Sequence, residues 1–165
     1  MKQSVKGVLG QSYFSIDELC QSATAKKYGI DNNPSEDAKR NLQSLIDNVL
    51  DPARKELGSY IKINNGYRSK ALNDKLRELG YNPSSTSQHC LGEAADTTAG
   101  SVDKNRQLFE IYVRQGNFDQ LIWEHSSKGQ WIHVSYRTGR LRGEILSWNG
   151  NKYTNIKDNW KDKLV

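Results

Sequence analysis

The stretch Ser87-Gln-His-Cys-Leu-Gly-Glu-Ala-Ala-Asp96 sets an imidazole and a carboxylate seven residues apart, with mostly small residues between them. Both groups bind divalent metals. On a helix this spacing puts the side chains on one face but about 10 Å apart along the axis, at ~1.5 Å per residue. That is too far to share an ion at ~2 Å from each ligand. A turn at Gly92 that feeds a strand over Glu93-Ala-Ala-Asp-Thr-Thr98 brings them together instead. In that strand Ala94 and Asp96 share a face, and Ala94 leaves room beside the carboxylate. The chain has three histidines, and His133 lies mid-strand in Gln130-Trp-Ile-His-Val-Ser135, a polar group in an otherwise apolar run. On a regular strand Trp131, His133 and Ser135 share a face and Ile132 and Val134 take the other. Two imidazoles and one carboxylate make three protein ligands with a fourth position open, the arrangement of a catalytic rather than a structural zinc site. Cys90 competes as a thiolate ligand, but it adjoins His89, and adjacent side chains diverge in extended backbone, so it is left out. His125 adjoins a hairpin loop and reads as a loop histidine.

The elements that must position these groups are legible from caps and periodicity. Ser15-Ile-Asp-Glu18 has the capping-box form and predicts a helix to about Lys27. Asp31-Asn-Asn-Pro34 is turn chemistry, and a second helix starts at Ser35. Its Leu42, Leu45, Ile46, Val49 and Leu50 form one apolar stripe. Pro52 is expected to bend or interrupt this helix, and Gly58 to stop it. Tyr60–Asn64 alternates as a strand ending at Asn65-Gly66. Ser69–Leu79 and Ser101–Gln115 read as helices closed by Gly80 and Gly116. Phe118–His125 and Gln130–Arg137 read as strands joined by a hairpin at Ser126-Ser-Lys-Gly129. The pattern is α+β, a small antiparallel sheet flanked by helices. At 165 residues it makes one domain over 1–165, with a core of about 13–142 and a C-terminal extension, 143–165, whose role the sequence leaves open.

Composition narrows the classes. A mean hydropathy of -0.82 with 26% charged residues suits a soluble folded chain. No apolar run approaches the ~18 residues that would span a bilayer, so no stable membrane association is expected. The N-terminus, MKQSVKGVLGQSYF, shows no export signal, with no apolar core of ~7–15 residues. Cys20 and Cys90 are expected to be free thiols. The net charge of +5 suggests mild attraction to polyanions. The basic residues are scattered, except for Lys152, Lys157, Lys161 and Lys163 in the tail, so no nucleic-acid partner is expected.

Ser87-x-His89-x-x-Gly92-x-Ala94-x-Asp96, followed by Trp131-Ile-His133-Val-Ser135, resembles the M15 family of zinc peptidases that act on bacterial peptidoglycan. Tyr13-Phe-Ser-Ile-Asp-Glu-Leu, Gly29-Ile-Asp-Asn-Asn-Pro34, Leu50-Asp-Pro-Ala-Arg54, Gly66-Tyr-Arg-Ser69 and Phe118-Asp-Gln-Leu-Ile122 extend the resemblance across most of Tyr13–Arg142. It implies a Zn2+ cofactor held by His89, Asp96 and His133. It also implies that Arg68 stabilises an oxyanion or holds a substrate carboxylate. Ser87 either binds substrate or fixes the loop. Many M15 enzymes carry an acidic residue three positions before the last histidine as general base, and here Gln130 stands there, unable to accept a proton. The best replacement is Glu124, at the end of Phe118–Glu124 and across the hairpin from His133. The signalling domain of hedgehog proteins shows a similar arrangement. The resemblance implies a monomeric D-alanyl-D-alanine carboxypeptidase or a peptidase cutting between L-alanine and D-glutamate. With no export signal, the expected setting is a phage endolysin made in the cytoplasm and released through a holin-type hole, or a virion component. The alternative is an inactive zinc-containing wall-binding or virion structural module.

Overall fold

A computed structural model describes residues 12–165. The expected absence of an export signal therefore falls, up to residue 11, outside the described residues. The first expected helix is divided in two. The helix α1 (Ile16–Leu19) begins at Ser15, whose hydroxyl accepts from Glu18 N–H, and α2 (Ala23–Tyr28) has its own cap in Ser22. The break occurs because the Leu19 carbonyl turns to Tyr67 N–H at 2.7 Å instead of continuing the helical ladder. The apolar stripe lies on α3 (Glu36–Leu45) and on a π-helical turn at Ile46–Leu50, and all five of its residues are buried. Pro52 does not end the helix. It sits in the first turn of α4 (Asp51–Leu57), which continues from the π turn. Proline has no N–H to offer the Asn48 carbonyl, and Asn117 Nδ2 supplies that donor from elsewhere in the chain, at 3.0 Å.

The remaining elements are β1 (Lys62–Asn65), α5 (Lys70–Glu78), β2 (Ala94–Thr98), α6 (Val102–Gln115), β3 (Gln120–Ser126), β4 (Gly129–Ser135), β5 (Glu144–Trp148) and β6 (Tyr153–Asn155). The strands form one sheet in the order β1-β2-β4-β3-β5-β6. Every neighbouring pair is antiparallel except β3 and β5, which run parallel. The fold is α+β as expected. The C-terminal extension adds its last two strands, and its exposed lysines sit around a buried Ile156 and Leu164. Among the described residues no helix is long and apolar enough to cross a membrane.

The period-two alternation of strands gives the sheet two unlike faces. Ala95, Leu121, Trp123, Ile132 and Val134 are fully buried. On their side lies α6, whose Phe109 meets Trp123 edge-on at 5.7 Å between ring centroids. The opposite face carries Asp96, His133, Ile122 and Glu124. Those four line a cleft.

Candidate active site

Each donor is placed by local backbone chemistry. His89 lies in a short 3-10 turn, Gln88–Leu91, which Ser87 begins by accepting His89 N–H and which Gly92 ends in the left-handed conformation at φ 74°. A Cβ on Gly92 would also come within 2.5 Å of the Ala38 carbonyl, so both conformation and packing require glycine there. Asp96 and His133 are direct partners across β2 and β4, which gives them one face of the sheet. Asn65 reaches the second oxygen of Asp96 from a bulge in β1, at 3.5 Å.

The donor chemistry fits a cation. His89 Nδ1 is 2.7 Å from the Gly66 carbonyl, which can only accept, so Nδ1 carries the proton. Burial, the largest influence, lowers the His89 pKa although Asp96 pulls the other way, so the ring is neutral. The lone pair on Nε2 then faces Asp96 Oδ1 at 3.5 Å. His133 Nδ1 approaches the same oxygen at 3.1 Å. The His89, Asp96 and His133 donors all lie within 4.8 Å of one another, and among the described residues no other such cluster occurs. Lone pairs converging on one buried point, with the second nitrogen of His89 fixed by a backbone carbonyl, match a three-ligand metal site. Cys90 and His125 are outside the cluster, and both cysteines are free thiols.

Arg68, Ser87 and Glu124 line the same cleft of about 440 Å3 as the three donors. Arg68 Nη2 donates to Ser87 Oγ at 3.1 Å, so Ser87 fixes both the His89 turn and the guanidinium. Burial lowers the Arg68 pKa, and Asp96, Cys90 and Glu124 push it back up. Among the described residues its Nε is buried without a partner. A fold that holds an arginine with one donor unmatched accepts a cost that packing alone does not explain. Glu124 is pushed up to about 7 by burial and then by the charge of Asp96, while His133, the Trp131 indole and Arg68 act in the opposite sense. Gln130 is on the helix side of β4. Its side chain accepts from Asn105 of α6 and donates to the Trp131 carbonyl, so it does not line the cleft.

Arg142, Trp148 and Tyr153 carry no motif in the sequence, and Asp119 has no role assigned within the Phe118–Ile122 stretch, yet they build the surroundings of the cleft. Asp119, whose side chain is 2% exposed, accepts from Arg142 backbone N–H, Nε and Nη2 and from Gln88 Nε2. The segment before β5 is thereby tied to the residue preceding His89. Burial works against the Asp119 charge, but the Arg142 and Gln88 contacts hold its pKa below the ordinary value. Asp119→Ala should cost about 2–3 kcal/mol, less than a fully buried pair because Arg142 reaches solvent. A depressed folded-state pKa stabilises above the unfolded value near 4, and that contribution is lost as pH falls through the lower folded value. The variant should therefore lose its deficit relative to wild type in that acidic window, as read by denaturant titration at several pH values.

No curated protein matches the chain. The sequence model of the Peptidase M15 family matches residues 12–135, well over half of the chain and a span that contains His89, Asp96, Glu124 and His133. With a cluster of three metal-donor groups in the matched segment, the chain belongs to the peptidase M15 family, whose metallopeptidases are typically zinc-dependent.

Proposed function

We propose that the protein is a zinc-dependent peptidase that hydrolyses bonds in the stem peptides of bacterial peptidoglycan, acting as a phage endolysin. The observation that carries this reading is the convergence of His89, Asp96, His133, Glu124 and Arg68 in one cleft. His89, Asp96 and His133 would hold zinc, which supplies Lewis acidity to the scissile carbonyl and lowers the pKa of water toward about 7.

The protein's own groups supply the rest. Glu124 takes the proton from the attacking water and returns it to the leaving amine. Its raised pKa suits a group that must both accept and give a proton near neutrality. Arg68 is anchored through Ser87 and presents positive charge where the carbonyl oxygen becomes negative. Arg68→Ala should lower kcat by roughly 100-fold, the scale of losing one such donor, with metal content unchanged. Loss of zinc in that variant would make Arg68 structural.

The function is tested on purified sacculi. Muropeptide stem fragments should be released with zinc, release should stop with chelator, and mass spectrometry should name the bond. No release from the fully zinc-loaded protein would overturn the reading in favour of an inactive wall-binding module.

A further inference from the structure

The cleft floor does not end at Glu124. Trp131 of β4, Glu124 of β3, Trp148 of β5 and Tyr153 of β6 are successive cross-strand partners, so their side chains share one face. The Trp148 and Tyr153 rings stack at 4.3 Å between centroids with 36° between planes. Tyr153 is 54% exposed, so the pair presents aromatic surface to the cleft. Both residues lie beyond the segment that matches the family, which ends at residue 135.

Most other residues lining the cleft are hydroxyl, amide or charged groups, among them Ser84, Thr86, Gln120 and Arg142. A ligand for such a site needs one flat apolar face and a polar periphery. A pyranose ring has both, with C–H bonds to lay on the aromatic faces and hydroxyl and acetamido groups around its edge. The alanyl methyl of a stem peptide is too small to cover an exposed aromatic face. Tyr and Trp also offer this contact area at low cost in side-chain entropy.

We propose that Trp148 and Tyr153 form a saccharide subsite that seats the amino sugar to which the stem peptide is attached. The proposal rests on the peptidoglycan reading above. It also selects the bond. Strands are about 4.8 Å apart, so Tyr153 on β6 is roughly 10 Å across the sheet from Glu124 on β3. The lactyl group and L-alanine, two residue-length units, span about 7 Å, and half a sugar ring makes up the difference. The terminal D-alanyl-D-alanine bond lies about three units further along and would hold the sugar well past the pair. The substrate bond is therefore the sugar-proximal one, between L-alanine and D-glutamate.

The test titrates the zinc-loaded protein with the peptide-free disaccharide N-acetylglucosaminyl-N-acetylmuramic acid, following the Trp148 indole N–H by NMR with Trp148→Phe as the assignment control. A saturable shift is expected in wild type and in Tyr153→Phe, and its loss in Tyr153→Ala, a substitution at an exposed position that the fold tolerates. In parallel, the ratio of kcat/KM for sugar-bearing over sugar-free peptide should be roughly tenfold in wild type, about 1.4 kcal/mol, and should collapse toward one in Tyr153→Ala. No disaccharide shift, or a ratio that Tyr153→Ala leaves unchanged, overturns the subsite. Disaccharide binding without any peptide cleavage supports the subsite and overturns the peptidase reading alone.

Discussion

Glu124→Gln is expected to lower turnover of peptidoglycan by about 100- to 10,000-fold, the range associated with removing a general acid–base group, while the protein stays folded and retains one zinc. The three clustered donors are His89, Asp96 and His133, and Glu124 is outside that set, so its carboxylate is not needed to hold the metal. Its backbone is paired on both sides, to Trp131 and to Trp148, and glutamine has the same shape. The substitution also removes a negative charge facing Asp96, so stability should not fall. Elemental analysis, thermal melting and fragment release from sacculi are read on the same preparation. Gln130→Ala is the matched control. It should lose about 1 kcal/mol with the Asn105 bond yet keep its turnover, because Gln130 faces α6 and not the cleft. Full activity in Glu124→Gln would remove Glu124 from the mechanism, and a collapse in Gln130→Ala at unchanged zinc content would return the role to that position.

Local signals in the sequence were enough to bring the three clustered donor groups into view. His89 and Asp96 are joined by a turn that needs Gly92, and His133 interrupts an apolar strand. Both are short-range patterns, and the fold places all three groups as those patterns predict. The helices after Ser35, Ser69 and Ser101 follow caps and stripes for the same reason. The failures are long-range. The split between α1 and α2 depends on a carbonyl captured by Tyr67, forty-eight positions from Leu19. Helical continuity through Pro52 depends on a donor from Asn117. The parallel pairing of β5 with β3 leaves no mark in either strand's own residues, so neither the position of Trp148 beside Glu124 nor that of Tyr153 beside Trp148 was visible. Ser87 had two readings, substrate contact and loop fixing, and in the fold its oxygen accepts from both His89 N–H and Arg68. The aromatic wall of the cleft thus follows from strand order, whereas the cluster of three donor groups follows from spacing.

Zinc should raise the melting temperature of the wild-type protein, and Asp96→Ala should abolish that rise. A ligand that binds only the folded state stabilises by about 4.1 kcal/mol at a thousand times its Kd. For a domain of this size that is roughly 8–16 °C, at about 2–4 °C per kcal/mol. Asp96 is the one anion of the cluster. Without it two imidazoles remain, one of them held neutral with Nδ1 committed to the Gly66 carbonyl, and two imidazole nitrogens with no anion beside them bind zinc far more weakly. The zinc-free variant has little reason to be unstable. It no longer buries a carboxylate whose Oδ1 faces an unprotonated His89 nitrogen, and alanine already occupies both preceding positions of β2. The two measurements therefore separate a ligand from a structural residue. A variant that melts near the zinc-free wild type and does not respond to added zinc identifies Asp96 as a metal ligand. A variant that keeps the full zinc-induced rise would exclude it. One that melts far below the zinc-free wild type would show that the carboxylate supports the sheet through His133 and Asn65, its partners at 3.1 Å and 3.5 Å.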